Sequence, residues 1–459
     1  MLSAFPTENQ AEKITHTDLL NHLVCSTQNM ECMLHRCEEC PGSTNLEHFL
    51  NDKVSDDVDN ISFKQWVTTD RTTLLDYTIS TEDYLDLLME KVNQLLVHHF
   101  IAKHQSHRLC QLKEELHSDE CIILLDFAEN YSFIVQDAAQ GYHWDNSQCT
   151  LHPFVIYYTE DDQLKCSSMC IVSDCLKHDT EAVYTFLCSV IPEVKKLLPT
   201  LKTIHYFSDG AAAHYKNRKS FINLLYHSSD FGVSAEWNFF GTSHGKSPCD
   251  GIGGTVKREA ARASLQATDT NHILTPEDLF KWAEKNILGA KFMWISKESV
   301  KSMADKLESR FAKAFTVPGT RDNHCFKPVN ATTIEVSRVS GIAGFLVNYE
   351  REHIEEEFSH GLQISDMTPG QYITCVYDHH WWVGSIRETS EDQQDVQIQF
   401  MHPHGPAKSF FWPMREDLCW VPVQHIISKI DAPRTTTGRL YTIQECDIEA
   451  SERFIKEFR

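Results

Sequence analysis

Short apolar runs alternate with helical patterns through the middle of the chain, and this order predicts an α/β domain. Strands are predicted where several apolar residues stand together, and helices where apolar residues recur every three or four positions. In chain order, the predicted elements are strands at 121–125, 131–136, 154–158 and 168–172, a helix at 180–198, a strand at 203–208, a helix at 220–226, a strand at 233–240 and a helix that ends near Ser264. Consecutive strands followed by alternating helices and strands indicate a mixed sheet flanked by helices.

Three aspartates stand where such a sheet places its ligands. Asp126 and Asp209 each follow a predicted strand, and Asp250 opens the glycine-rich start of a helix. Ligands of open α/β sheets bind beyond the carboxyl ends of the strands. A lone aspartate there is more often a turn former or a helix N-cap. The order of these three favours a site for two Mg²⁺ or Mn²⁺ ions, which phosphoryl-transfer enzymes hold about 3.5–4 Å apart.

Glu259 is the alternative third carboxylate. It lies nine residues after Asp250, which is two and a half helical turns, so the two side chains face opposite sides of a helix. We prefer Asp250 because Gly251, Gly253 and Gly254 let the backbone approach a substrate closely.

Four residues near Asp250 are candidates for nucleic-acid contact. His244 and Lys246 precede it, and Lys257 and Arg258 follow it. His244 has two equal interpretations, contact with a phosphate or water and stabilisation of the loop that enters the helix.

A cysteine cluster near the N-terminus is a candidate zinc site. Its members are Cys25, Cys32, Cys37 and Cys40. Only the last pair has the two-residue spacing of a zinc knuckle, and His22 or His35 is an alternative ligand. Tetrahedral zinc requires such thiolate pairs; the other interpretation is a set of thiols in a small helical subdomain.

The C-terminal region predicts a small β-barrel. Short alternating runs occur at 372–377, 381–386, 395–400 and 409–412, and turn residues separate them. A candidate aromatic cage for methyl-lysine or peptide tails comprises Tyr377, Trp381, Trp382 and Phe400. Cages of this kind attract cations; the alternative is that these rings form the core of the barrel.

Charge and composition limit the class of protein. The formal net charge of −23 counts against DNA binding, which depends on phosphate neutralisation, or indicates that a basic DNA-binding module is missing. Residues 216–262 nevertheless hold seven basic and four acidic side chains. No apolar run reaches membrane-spanning length, and no signal peptide is visible. We therefore expect no membrane association and a nuclear location, or a cytoplasmic one before import.

Several motifs resemble those of DDE-type transposases from a group of uncharacterised invertebrate, transposon-related proteins. They are Asp126-Phe-Ala-Glu-Asn-Tyr-Ser, Phe207-Ser-Asp-Gly-Ala-Ala and His244-Gly-Lys-Ser-Pro-Cys-Asp-Gly-Ile-Gly-Gly-Thr-Val-Lys-Arg. The resemblance implies a ribonuclease-H-like core and a catalytic triad of Asp126, Asp209 and Asp250. It also implies two Mg²⁺ or Mn²⁺ ions and DNA as partner. Separately, the short strands and aromatic residues of the C-terminal region resemble a Tudor- or SH3-like barrel.

The expected function is metal-dependent cleavage and strand transfer on DNA. One alternative is an inactive derivative that binds DNA or chromatin in the nucleus. Another is a ribonuclease or exonuclease on the same fold. A homo-oligomer is compatible with each of these functions.

The predicted units are a Cys-rich region at 1–60, a helical region at 61–118, the catalytic core at 119–265, a helical extension and linker at 266–365, the barrel at 366–432 and a tail at 433–459.

Overall fold

The computed structural model contains a helical N-terminal region, a large mixed sheet with helices, and a separate C-terminal sheet. It describes residues 2–6, 13–54, 57–68, 72–134, 147–242, 244–245, 247–266, 272–315, 317, 319–349, 362–377, 380–391, 394–403, 408–413, 417–435 and 438–458.

The N-terminal region packs three short helices and a β-hairpin against one long helix. Its elements are α1 (His16–Leu23), α2 (Met30–Met33), α3 (Gly42–Lys53), β1 (Asn60–Thr68), β2 (Thr72–Ser80) and α4 (Thr81–Glu114). Helix α4 begins where the Ser80 side chain accepts a hydrogen bond from the Asp83 backbone N–H. The predicted helical region at 61–118 instead begins with the hairpin of β1 and β2. Ile61 and Phe63 are buried while Ser62 and Lys64 are exposed, and this two-residue period favours strands.

The central sheet contains ten strands within the described residues. They are β3 (Glu120–Leu125), β4 (Ala128–Ser132), β5 (Gln148–Glu160), β6 (Gln163–Ser173), β7 (Thr203–Ser208), β8 (Ser234–Phe239), β9 (Ala290–Ile295), β10 (Cys325–Pro328), β11 (Thr333–Ser337) and β12 (Phe345–Asn348). Their order is β12-β11-β10-β8-β7-β3-β5-β6-β9, with β4 paired to β5.

Strand directions bring several chain segments to one edge of this sheet. Strand β3 runs parallel to β7, and β7 runs parallel to β8. Strand β5 is antiparallel to both β3 and β6, so β6 points the same way as β3. The carboxyl ends of β3, β6, β7 and β8 therefore lie at one edge, where ligands of α/β sheets bind.

Helices cover both faces of the sheet. They are α5 (Thr180–Leu197), α6 (Arg218–Leu225), α7 (His227–Phe231), α8 (Pro248–Gln266), α9 (Pro276–Asn286) and α10 (Lys297–Phe311). One core cluster joins α5 and α6 to the sheet through Phe186, Phe221 and Phe239, while Val256 of α8 belongs to a second cluster. Asp179 is the N-cap of α5, as its position in the sequence predicts, because its carboxylate accepts from the Ala182 backbone N–H.

The predicted helical extension at 266–365 is only partly helical. Helix α9 begins with a capping box between Thr275 and Asp278. Strand β9, however, pairs with β6 at one edge of the sheet, and β10 to β12 extend it beyond β8. Hydrogen bonding to distant strands therefore determines the structure of this region.

The C-terminal region forms a separate antiparallel sheet. Its elements are β13 (Tyr372–Tyr377), β14 (His380–Ser390), β15 (Asp395–Pro403), β16 (Phe410–Phe411), β17 (Leu418–Pro422), β18 (Ile426–Ile430) and α11 (Glu445–Phe458). Strand pairing does not close this sheet into a barrel within the described residues. The predicted tail at 433–459 contains α11, which buries Ile448 and Phe454.

None of the described helices has the length and apolar character needed to cross a membrane.

Candidate active site and cysteine cluster

Asp126 and Asp209 lie at the ends of neighbouring parallel strands. Asp126 follows β3 directly and Asp209 follows β7 directly, and Leu124 is paired with Phe207 two residues before each. Both aspartates are half-buried. The sheet therefore brings together two carboxylates that are more than 80 residues apart in the chain.

Asp250 approaches the same edge from the first turn of α8. Its Oδ2 accepts a hydrogen bond of 3.0 Å from the Ser247 backbone N–H. The next residue back, Cys249, is buried, and its Sγ lies 3.5 Å from the carbonyl oxygen of Leu124 in β3. The start of α8 is thus fixed directly above the strand that carries Asp126.

Two glycines permit this close packing. A Cβ at Gly253 would lie 2.8 Å from the Cβ of Ala128 in β4, a distance that real side chains do not tolerate. A Cβ at Gly245 would lie 3.3 Å from the Cβ of Asp209. The loop before Asp250 and the helix after it therefore both touch the segments that carry the other two aspartates.

Asp126 lies within electrostatic range of the other two aspartates. Burial, and then the negative charges of Asp209 and Asp250, raise the pKa of Asp126 to about 7. Glu259 is engaged elsewhere, in ion pairs of 3.3 Å with Arg258 and 3.1 Å with Arg262. The second negative charge that raises the pKa of Asp126 is therefore that of Asp250 and not that of Glu259.

A layer of aromatic and imidazole rings lies beside Asp126. The ring of Phe127 is stacked on His178 at 4.1 Å between centroids, and it meets His152 at 4.3 Å and His214 at 4.9 Å edge-on. These contacts fix the backbone that follows Asp126. Sequence reasoning did not identify His152 or His214 as parts of the site, because each lies on a different segment with no characteristic spacing.

Hydrogen bonds extend this layer to the loop after Asp126. His178 Nε2 is 2.9 Å from Oδ1 of Asn130, and the Thr150 hydroxyl donates to the same oxygen at 3.0 Å. Burial and then the neighbouring His214 lower the pKa of His178 to about 4. His178 is therefore neutral at physiological pH, and Asn130 has a structural role here.

Three of the four predicted nucleic-acid contacts, His244, Lys257 and Arg258, lie in the described part of the chain. His244 Nε2 is 3.0 Å from Nε2 of His98 on α4, which ties the loop before Asp250 to the N-terminal region. Lys257 is half-buried, Arg258 is exposed beside Glu259, and Lys246 is outside the described residues. The His98 contact favours the loop-stabilising interpretation of His244.

The four N-terminal cysteines do converge. Within the described part of the chain, they are the one set of three or more potential ligands whose atoms all lie within 4.8 Å of one another. The Sγ atoms of Cys25 and Cys40 are 3.6 Å apart. Zn–S bonds near 2.3 Å in a tetrahedron require sulfurs slightly less than about 4 Å apart. This cluster could bind a metal such as zinc.

In the metal-free protein, the thiols of Cys25 and Cys40 have pKa values shifted in opposite directions. A hydrogen bond from the Cys25 backbone N–H lowers the pKa of Cys40, and donation to Cys40 raises the pKa of the Cys25 thiol to about 12. Cys32 is buried in the hydrophobic core of the N-terminal region. His22 is not part of the cluster, since its ring stacks on Phe49 with centroids 3.9 Å apart.

The proposed aromatic cage was wrong as a set of four. Tyr377 and Trp382 both pack on Phe400, at 5.5 and 5.7 Å between centroids, within the core of the C-terminal sheet. Trp381 contacts Phe410 instead, in a different cluster. Adjacent residues of a strand point to opposite faces, so Trp381 and Trp382 cannot share one cage built on a single face.

Two protein families match the chain. Residues 105–340, more than half of the chain, match the family described as Domain of unknown function (DUF8701), and residues 1–96 match Domain of unknown function (DUF8700). The chain belongs to the first family. No curated protein and no solved structure matches it. All three aspartates lie within the DUF8701 segment, and all four clustered cysteines lie within the DUF8700 segment.

Proposed function

We propose that this protein is a metal-dependent phosphoryl-transfer enzyme of the DDE transposase type, which cleaves and joins DNA strands. The observation that carries the proposal is the position of Asp126, Asp209 and Asp250 at the carboxyl edge of the sheet, where burial, and then the negative charges of Asp209 and Asp250, raise the pKa of Asp126 to about 7. Neighbouring carboxylates that repel one another are stabilised by cations, and such sites are common where charge is used in catalysis.

The strand order supports a ribonuclease-H-like core. Strands β6, β5, β3, β7 and β8 stand side by side. Of these five strands, β3, β5 and β6 come first along the chain, and β5 is antiparallel to the other two. Strand β7 then pairs in parallel with β3, and β8 pairs in parallel with β7. This is the arrangement expected of that fold, with carboxylates on the first strand, the fourth strand and a later helix.

The donor set fits a hard divalent cation. Mg²⁺ and Mn²⁺ favour carboxylate oxygens, and Asp126, Asp209 and Asp250 would hold them here. When bound, such ions polarise the phosphate and lower the pKa of a water molecule. The rings around Phe127 hold Asp126 in place, and the contacts of Gly245 and Gly253 keep the Asp250 segment close to the other two carboxylates.

Divalent-ion-dependent cleavage of DNA tests the proposal. The wild type should cleave labelled DNA in Mg²⁺ or Mn²⁺ and be inactive in EDTA, and Asp126→Asn or Asp209→Asn should abolish cleavage. Glu259→Gln is the matched control, because it removes a carboxylate from the same helix as Asp250 without touching the site. Cleavage that survives both aspartate substitutions would refute the triad.

We propose a structural zinc ion for the cysteine cluster. Two of its ligands, Cys37 and Cys40, have knuckle spacing, and the distances between sulfurs are close to those of a zinc tetrahedron. Zinc in so short a segment would supply folding energy to the N-terminal helices. Metal analysis of protein purified under reducing conditions should find about one zinc per chain, as a single four-thiolate site requires.

A catalytically inactive, chromatin-binding protein in the nucleus is the second candidate. Within the C-terminal sheet, β18, β13, β14, β15 and β17 are neighbours in that order, which is the order expected of an SH3- or Tudor-like domain. A cavity of about 390 Å³ between β14 and α11 is lined by Trp381, Phe410 and Glu452. Aromatic rings beside a carboxylate favour a cationic ligand. Binding of methylated peptides that is lost in Trp381→Ala, together with no cleavage by the wild type, would favour this candidate.

A further inference from the structure

A cavity of about 420 Å³ lies between the catalytic edge of the central sheet and the C-terminal sheet. Its walls are the starts of α5 and α6, the loop around Arg321, and strand β17. Helix α5 follows β6 and helix α6 follows β7. Both helix starts therefore stand at the sheet edge that carries the three aspartates.

The cavity begins within a few residues of Asp209. The backbone N–H of Ala211 donates to Asp209 Oδ1 at 3.1 Å, and the next two residues, Ala212 and Ala213, line the cavity. A strand bound at the aspartates thus has an adjoining space to enter.

Trp420 presents an unused aromatic surface to this space. It lies on β17 between Cys419 and Val421, both of which are buried in the core of the C-terminal sheet. Because side chains alternate along a strand, Trp420 faces away from that core, and it lines the cavity. Among the described residues, no ring stacks on its indole and no acceptor takes its Nε1–H.

Two cationic side chains of the cavity have no carboxylate partner in the described parts of the chain. Arg321 is exposed and donates to the carbonyl oxygen of Leu418 at 3.3 Å. Lys216 is buried, and its Nζ donates to the carbonyl oxygen of Arg321 at 2.9 Å. Both retain N–H donors for an anion.

The acidic side chains of the cavity are compensated. Glu181 forms an ion pair of 2.8 Å with Lys219. Arg218 opposes the burial that raises the pKa of Asp395 to about 6. Asp179 is engaged as the N-cap of α5. Arg321 therefore supplies the charge that is left for a ligand. Burial lowers the pKa of Lys216 to about 7, so Lys216 adds an N–H donor and part of a charge.

We propose that this cavity binds one nucleotide of a single-stranded segment of the DNA substrate, with its base on Trp420 and its phosphate at Arg321 and Lys216. The proposal rests on the proposed function. Aromatic stacking combined with a cationic path for the backbone is the usual means of binding single strands. A space of about 420 Å³ has the size of a small-molecule pocket and cannot admit a duplex. The C-terminal sheet is thereby part of the substrate-binding surface.

Binding of a fluorescent oligothymidylate in EDTA tests the proposal independently of cleavage. Trp420→Leu should weaken binding by about tenfold to a hundredfold, the usual loss for one stacked base. Trp420→Phe should retain most of the affinity, since it keeps a ring. Arg321→Gln should weaken binding. It should also lower by about one the number of counterions released on binding, which is measured from the slope of log affinity against log salt concentration.

The matched controls are Trp66→Leu, an exposed tryptophan on the N-terminal hairpin, and Arg453→Gln, an exposed arginine on α11. Both should bind like the wild type. Equal binding by Trp420→Leu and the wild type, no binding by the wild type, or equal competition by duplex DNA would overturn the inference. Loss of binding in Trp420→Leu without any cleavage by the wild type would support the cavity and refute the proposed function instead.

Discussion

The replacement Asp126→Asn should stabilise the metal-free protein above neutral pH while abolishing its activity. Burial and the charges of Asp209 and Asp250 raise the pKa of Asp126 from 3.8 to about 7. The folded protein therefore holds a proton that the unfolded chain releases between these two pH values. Its free energy of unfolding must fall as pH rises through this window and stay reduced above it.

The size of the effect follows from the shift. About three pKa units at 1.36 kcal/mol each correspond to roughly 4 kcal/mol. The side chain is only partly buried, so solvent screening reduces the expected effect to about 2 kcal/mol. Asparagine stays neutral, so Asp126→Asn should exceed the wild type by about 2 kcal/mol at pH 8 and match it near pH 4.

Urea denaturation of both proteins in EDTA, from pH 4 to pH 8, measures this difference. Asp86→Asn, which removes an exposed carboxylate of α4, is the control and should follow the wild type. Mn²⁺ should restore stability to the wild type at pH 8 and have less effect on Asp126→Asn, because a cation replaces the missing proton. A difference between variant and wild type that stays constant with pH would refute the electrostatic account of the site.

Three further predictions concern the scaffold. Cys37→Ser combined with Cys40→Ser should abolish zinc content, and hydrogen exchange should then rise at residues 20–45 while the central sheet stays folded. Gly253→Val should lower thermal stability by several degrees and impair cleavage, because its side chain would collide with Ala128; Gly251→Ala, at an open position of the same helix, is its control. Gln105→Leu should lower the free energy of unfolding by about 2–4 kcal/mol in urea denaturation, because its buried amide bonds the carbonyl oxygens of two other segments.

The sequence was sufficient for the local elements around Asp126 and Asp209. Apolar runs that end in Asp126 and Asp209 predict the two strands, and the structure has both. The helix predicted at 180–198 is α5, and the Asp179 side chain caps its start. These features depend on residues that are close in the chain, so a local pattern suffices.

Long-range pairing was beyond the sequence patterns. Strand β9 is a six-residue, mostly apolar stretch that pairs in parallel with β6, more than 100 residues earlier. A short apolar run of this kind fits a strand or a buried helix equally well. The layer of rings around Phe127 was not predicted for the same reason. His152 and His214 come from separate elements that only the folded sheet brings together.

Metal binding at the three aspartates is the most direct test of the central claim. Crystals soaked in Mn²⁺ and measured by anomalous scattering should show manganese between Asp126 and Asp209, with Asp250 as a further ligand, and two ions about 3.5–4 Å apart once a DNA end is bound. Crystals of Asp126→Asn should lose that signal. Anomalous maps with no manganese at this edge of the sheet, at Mn²⁺ concentrations that saturate known two-metal enzymes, would contradict the proposed function.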